Sequence, residues 1–169
     1  MEDINVYIDF SINIEEGTSL FNVHATCILY PKELDRGINI GQASMYLFNP
    51  IKSSYSEVCD DAVSISSDLY HSLTNLESID EIENMHGLVA TAHFINMKEE
   101  WRGKGLCRAF MEKMMQQLAI LNVELIVLIT NDHKEKDFYH RLGFESLKNN
   151  ADIPLMYKYL DDKQVILYN

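Results

Sequence analysis

The sequence is poor in the residues that staple or punctuate a chain. Its 169 residues include 3 Cys, 3 Pro and 7 Gly, which sets aside disulfide scaffolds, collagen-like repeats and low-complexity segments. Cys27, Cys59 and Cys107 are odd in number, far apart and without C-x-x-C spacing. They fit neither a disulfide framework nor a zinc site, and a reducing cytoplasm is the expected setting. The 6 His residues lack the i, i+4 spacing that puts two imidazoles on one helical face, so no metal is expected. Positive charge is scarce as well. With 14 Lys and Arg against 26 Asp and Glu, the net charge is −12, which argues against nucleic-acid phosphates as a partner. The longest apolar stretch, Leu118 to Thr130, is broken by Asn122 and Glu124 and falls short of the roughly 20 residues that span a bilayer. The start, Met1-Glu2-Asp3-Ile4-Asn5, has no basic segment leading into an apolar run, so neither secretion nor a membrane partner is expected.

What is present is the composition of an ordinary globular protein, 47% hydrophobic and 24% charged, and one domain over residues 1–169 is expected. Ile4, Val6, Ile8 and Phe10 alternate with polar neighbours, as do Phe21, Val23, Ala25, Cys27 and Leu29. These predict two strands joined as a hairpin through the turn-like Ile14 to Ser19. A third strand is expected from Ile38 to Phe48, closed by Asn49-Pro50. Ser54-x-x-Glu57 has the form of a capping box, and Val58, Ala62, Ile65, Leu69 and Leu73 follow at helical spacing, which predicts one helix with an acidic outer face of Glu57, Asp60, Asp61 and Asp68. The polar segment from Asn75 to Asn84 reads as a loop.

Gly87 to Met97 is small or apolar on both alternating faces, as a central strand would be. Leu106, Phe110, Met114, Leu118 and Leu121 then mark a helix whose stripe Met111 and Met115 widen, and Val123 to Thr130 reads as a buried strand parallel to the first. A short helix is expected from Asp132, its N-cap, to Gly143. Pro154 to Leu160 and Gln164 to Tyr168, joined through Asp161-Asp162-Lys163, are the closing strand candidates.

The chemistry concentrates in Trp101-Arg102-Gly103-Lys104-Gly105-Leu106-Cys107, between a buried strand and a helix start. Glycines there let backbone N–H groups approach an anion that the helix dipole and two cations favour, so a phosphate or pyrophosphate is the natural guest. The phosphate-loop pattern G-x-x-x-x-G-K-[ST] and the dinucleotide pattern G-x-G-x-x-G are both absent. The stretch Arg102-Gly103-Lys104-Gly105-Leu106-Cys107 resembles the [Q/R]-x-x-G-x-[G/A] signature of the GNAT superfamily of acyl-CoA-dependent N-acyltransferases, with Cys in the last position. Downstream, Phe138-Tyr139-His140-Arg141-Leu142-Gly143-Phe144 resembles the family's Tyr-x-x-x-Gly-Phe. The resemblance covers Gly87 to Phe144. Family members usually place two helices between the first two strands, whereas here the helix falls after the third.

The resemblance implies an α/β (α+β) fold: a mixed, mostly antiparallel sheet with a central parallel strand-helix-strand unit and helices on both faces. Residues 1–86 would supply N-terminal strands and a variable helix, residues 87–144 the acyl-CoA-binding core and residues 145–169 closing strands. It implies acetyl-CoA as co-substrate, with backbone groups near Ile95 and Met97 pairing with the pantetheine arm and the amides of Arg102, Gly103, Lys104, Gly105, Leu106 and Cys107 holding the pyrophosphate. A backbone N–H near Met97 would stabilise the oxyanion, and Tyr139 would protonate the departing thiolate. Asn131 or Asp132 contacts the cofactor or caps the helix, with Asp132 better suited to capping. For Cys107 as a nucleophile no partner base is evident, and a small residue is what the phosphate turn requires. Candidate bases are His93, Asn96, Glu99 and Glu100.

The implied activity is acetyl transfer to a primary amine by direct attack, with the acidic balance favouring a cationic small-molecule or peptide acceptor. The alternative is a non-catalytic acyl-CoA-binding or protein-interaction module. A homodimer is compatible with either. The Ser54 to Asn84 segment is expected to take the place of the family's early helices beside the acetyl end.

Overall fold

The computed structural model describes residues 6–31, 35–79, 82–147 and 154–160. Its strands are β1 (Val6–Ile14), β2 (Phe21–Leu29), β3 (Ile38–Phe48), β4 (Leu88–Met97), β5 (Val123–Ile129), β6 (Glu145–Ser146) and β7 (Leu155–Tyr159). They form one sheet in the order β1-β2-β3-β4-β5-β7-β6. The pair β4–β5 is parallel and the other five are antiparallel, so the mixed, mostly antiparallel sheet implied by the sequence is the one found. Ile4, the turn 161–163 and the strand candidate Gln164 to Tyr168 lie outside the described residues.

The helices are α1 (Tyr55–Ile65), α2 (Ser67–Thr74), α3 (Leu106–Ile120) and α4 (His133–Arg141). Helices cover both faces because the central strands are apolar on both sides. On one face Phe110, Met111, Met114 and Leu118 of α3 pack on Val23, Ala25, Met45, Ala90 and Ile126, joined by Phe138 and Tyr139 of α4. On the other, Val58 and Ala62 of α1 and Leu69 and Leu73 of α2 pack on Phe48, Val89, Leu125 and Val127. Leu121 does not extend the α3 stripe; it is the C-cap residue and is 39% exposed.

The single helix expected after β3 is two. Ser66 is extended, with φ −162° and ψ 149°, and its Oγ accepts from Leu69 N at 3.0 Å. A second serine cap thus competes with helix continuation, while the apolar stripe stays in register across the break. The expected capping box of Ser54 and Glu57 is present at the first start. The polar segment after α2 is also more ordered than its composition suggests. It forms 3₁₀ turns at Leu76–Ser78 and Ile82–Asn84, and Leu76, Ile79, Ile82 and Met85 are buried. Their spacing of three is the period of a 3₁₀ helix.

Candidate active site

The sheet opens at β4. Ser44 pairs with Phe94 but Met45 with Ala92, so His93 is an extra residue, a β-bulge. Pairing of β4 with β5 ends at Ala92↔Leu128, while β4 stays on β3 as far as Met97↔Gly41. Beyond Ala92 the two parallel strands therefore part. Lys98 N donates to Ile40 O at 2.9 Å, toward β3. Strand alternation then turns the backbone groups of Ile95 and Met97 the other way, onto the open edge. Those are the two positions at which the family resemblance implies pairing with the pantetheine arm.

The loop after β4 ends in α3 at an N-cap, Gly105, that has no side-chain cap. Gly103 and Gly105 have φ of +73° and +77°, and a Cβ on either would meet nothing within 4 Å. Glycine is needed here for the left-handed backbone and leaves open space in front of it. Among the described residues no acceptor is recorded for the loop amides of Gly103, Lys104 and Gly105, and those of Leu106 and Cys107 lie in the first turn, where a helix supplies none. Five N–H groups are thus left without an acceptor among the described residues at the positive end of α3.

The cations around this loop divide their roles. Arg102 donates Nε to Met97 O at 2.8 Å and a terminal nitrogen to Asn96 Oδ1 at 3.1 Å, tying the loop to the end of β4. Lys104 Nζ lies 4.8 Å from the centroid of Trp101, a cation–π contact. Burial raises the Cys107 thiol pKa, against a lowering by Arg102, so the thiol stays protonated and is a poor nucleophile.

Tyr139 sits in α4 with its ring edge-on to Phe138 and Phe144, at centroid distances of 5.2 and 5.4 Å. Its phenol pKa is raised, chiefly by burial and further by Cys107 and Glu135, which keeps the hydroxyl protonated. A hollow of about 140 Å³ at the strand splay brings Tyr139 together with Ala92, His93, Phe94, Ile95, Leu128, Ile129, Asn131 and Glu135. Asn131 is at this hollow but is held by Glu135, whose Oε2 accepts from its backbone N at 2.7 Å and from Nδ2 at 3.2 Å. Asp132 caps α4 by accepting from Glu135 N at 2.9 Å. The cap pattern was legible in the sequence; the grip of Glu135 on Asn131 was not.

Of the candidate bases, His93 stands in the bulge, with ring centroids 6.1 Å from both Tyr46 and Phe94. Asn96 is bound to Arg102, and Glu99 and Glu100 are exposed in a 3₁₀ turn. Two larger grooves, of about 510 and 630 Å³, lie between α3 and β7 and beside the 3₁₀ turns, and neither includes the splay. Among the described residues no group of three or more His, Cys, Asp or Glu could hold a metal, and no helix is long and apolar enough to cross a membrane.

Residues 72–144 match the model of the acetyltransferase (GNAT) family, a segment that runs from α2 through the bulged strand and the glycine loop to Phe144. Over that segment the chain is similar to the members of that family. Solved structures with the same fold include mosquito arylalkylamine N-acetyltransferase like 5b, at 12% identity and TM-score 0.57, covering 81% of this chain and 74% of the other. Arylalkylamine N-acetyltransferase 2 from Aedes aegypti aligns at 12% identity and TM-score 0.53, covering 80% of this chain and 73% of that one. Identity this low speaks to the fold. No curated protein is significantly similar in sequence.

Proposed function

We propose that this protein transfers the acetyl group of acetyl-CoA to a primary amine by direct attack, within one domain. The observation that carries the reading is an open β4 edge at the strand splay, with a half-buried tyrosine whose hydroxyl stays protonated at the same hollow and an uncapped helix start whose loop Arg102 ties to the end of β4. The thioester of acetyl-CoA supplies the activated acyl group. Gly103 to Cys107 hold its pyrophosphate through backbone N–H groups, and Ile95 and the N–H of Met97 pair with its amide-bearing arm as an added strand would. The Met97 carbonyl is engaged by Arg102, which leaves the N–H side of that residue for the arm or for the developing oxyanion.

The amine loses one proton to reach its neutral form, and its lone pair attacks the carbonyl carbon. The C–S bond breaks with its electron pair on sulfur, Tyr139 gives that sulfur its proton, and the tyrosine is reprotonated as the new amide nitrogen loses its second hydrogen. The net products are the N-acetylamine, free thiol and one proton. A cytoplasmic setting agrees with the three unpaired thiols. Calorimetry with acetyl-CoA tests the binding site: Gly105→Glu, which puts bulk and an anion where phosphate sits, abolishes binding, and unchanged affinity in that variant overturns the assignment.

A further inference from the structure

β1 ends the sheet on one side, and its outer edge is unpaired among the described residues. The hairpin decides which residues face that edge. Glu15 N donates to Leu20 O at 3.0 Å, and the β1–β2 register runs without a shift from Val6↔Leu29 to Ile14↔Phe21. Antiparallel ladders alternate, so Tyr7, Asp9, Ser11 and Asn13 turn their backbone groups to β2, while Val6, Ile8, Phe10, Ile12 and Ile14 turn theirs outward. The Val6 carbonyl is already engaged, accepting from Lys113 Nζ of α3 at 2.6 Å. Open edges are normally blunted by lysine, proline or a bulge, and the stretch from Ile8 to Ile14 has none of these. Its apolar face is also covered unevenly. Ile8 and Phe10 are half-buried against the core under α3, whereas Ile12 and Ile14 on the same face are 49% and 74% exposed.

We propose that this edge joins two copies of the chain, β1 to β1 antiparallel about a two-fold axis at Ser11, so that one sheet runs through both. The axis is selected by charge and by Lys113. An axis at Asp9 would set the two Asp9 carboxylates against each other, a like-charge pair. An axis at Phe10 would send the partner's Ile14 N–H to the Val6 carbonyl that Lys113 holds. An axis at Ser11 avoids both and matches the bare stretch with itself, Ile8 to the partner's Ile14 and Phe10 to the partner's Ile12, with about eight backbone hydrogen bonds exchanged. Residues directly opposite in a ladder share a face, so each exposed isoleucine packs on a residue that α3 covers only in part. On the polar face Asp9 meets the partner's Asn13. Asn13 Nδ2 donates one N–H to Ser11 Oγ at 3.1 Å and keeps a second for that carboxylate. Glu15 comes opposite the partner's Tyr7, whose ring centroid lies 5.0 Å from Lys113 Nζ within each copy, so unlike charges meet at both ends of the interface. The pairing is independent of the acetyltransferase reading, because β1 stands three strands from β4.

Sedimentation equilibrium of the full chain tests the interface. The wild-type mass rises from 19.5 kDa toward twice that value as concentration reaches about 100 µM, the range of a small, edge-only contact. Ile12→Pro removes an outward N–H that the fold leaves unused, so the dilute protein keeps its melting temperature while dimerisation weakens about tenfold or more. Asn13→Asp, at an exposed side chain, sets like charges against each other twice and weakens the dimer about tenfold. Adding Asp9→Asn to that variant restores affinity to within about threefold of wild type, a rescue that general destabilisation would not give. Where Ile12→Pro does not fold, Asn13→Asp and its rescue decide alone. A wild-type chain that stays monomeric at about 100 µM overturns the proposal, as does a dimer indifferent to both single substitutions. A dimer weakened by Ile12→Pro and not by Asn13→Asp overturns the axis at Ser11.

Discussion

Arg102 reaches back from the glycine loop to Met97, placing Nε 2.8 Å from the last carbonyl of β4. This bond ties the open strand edge to the loop that leads into the N-terminus of α3, the two parts of the proposed acetyl-CoA site. Its second contact, to Asn96 Oδ1, uses the fork geometry that a lysine lacks. Arg102→Lys therefore keeps the charge and loses the registration, and acetyl-CoA affinity falls about tenfold by calorimetry. Lys104→Met, at a side chain stacked on Trp101, has a smaller effect. Equal losses in the two variants show that charge, and not registration, is what the loop contributes.

Tyr139→Phe keeps the ring contacts with Phe138 and Phe144 and removes only the hydroxyl. Turnover falls roughly 10²-fold or more, while acetyl-CoA affinity is retained. A loss below about threefold assigns thiolate protonation to water and leaves Tyr139 a packing role. The pH profile gives an independent check. Because burial raises the phenol above its ordinary value of 10.0, the protonated donor persists past that pH. The kcat profile of the wild-type enzyme then shows no fall through pH 10, whereas a solvated tyrosine would begin to lose its proton there.

Asp61→Asn weakens two hydrogen bonds to Ser19, one to its backbone N and one to its hydroxyl. These pin the β1–β2 hairpin turn to α1. Losing the charge on their acceptor costs about 1–3 kcal/mol of stability, read as a drop in melting temperature. Amine KM is unaffected, because Asp61 does not line the splay. A change in KM at this position shows that the acidic face acts as a whole in steering the acceptor.

Much of this arrangement could be read from residues before any coordinates. β2 matches its predicted range because its alternation is clean, and β3, buried on both faces over its second half, matches because Gly37 and Asn49-Pro50 bound it. The left-handed turns of the glycine loop were legible because such a backbone favours glycine, as at Gly103 and Gly105, whereas Tyr139 was singled out only through the resemblance of Phe138 to Phe144 to a family pattern. The break at Ser66 was hidden, since Ile65 and Leu69 keep helical spacing across it. The 3₁₀ turns were hidden by polar composition, although Leu76, Ile79, Ile82 and Met85 repeat every third residue. The bulge at His93 leaves no local signature, because it arises from the register of β4 on β3.

The central claim, that the splay is a site of acetyl transfer, is tested most directly by thiol release from acetyl-CoA with and without a primary amine. The account predicts release that rises with amine concentration, saturates, and yields the N-acetylamine in equal amount. Tight acetyl-CoA binding with no amine-dependent thiol release from a panel of primary amines would contradict it, and would assign the protein to non-catalytic acyl-CoA binding instead.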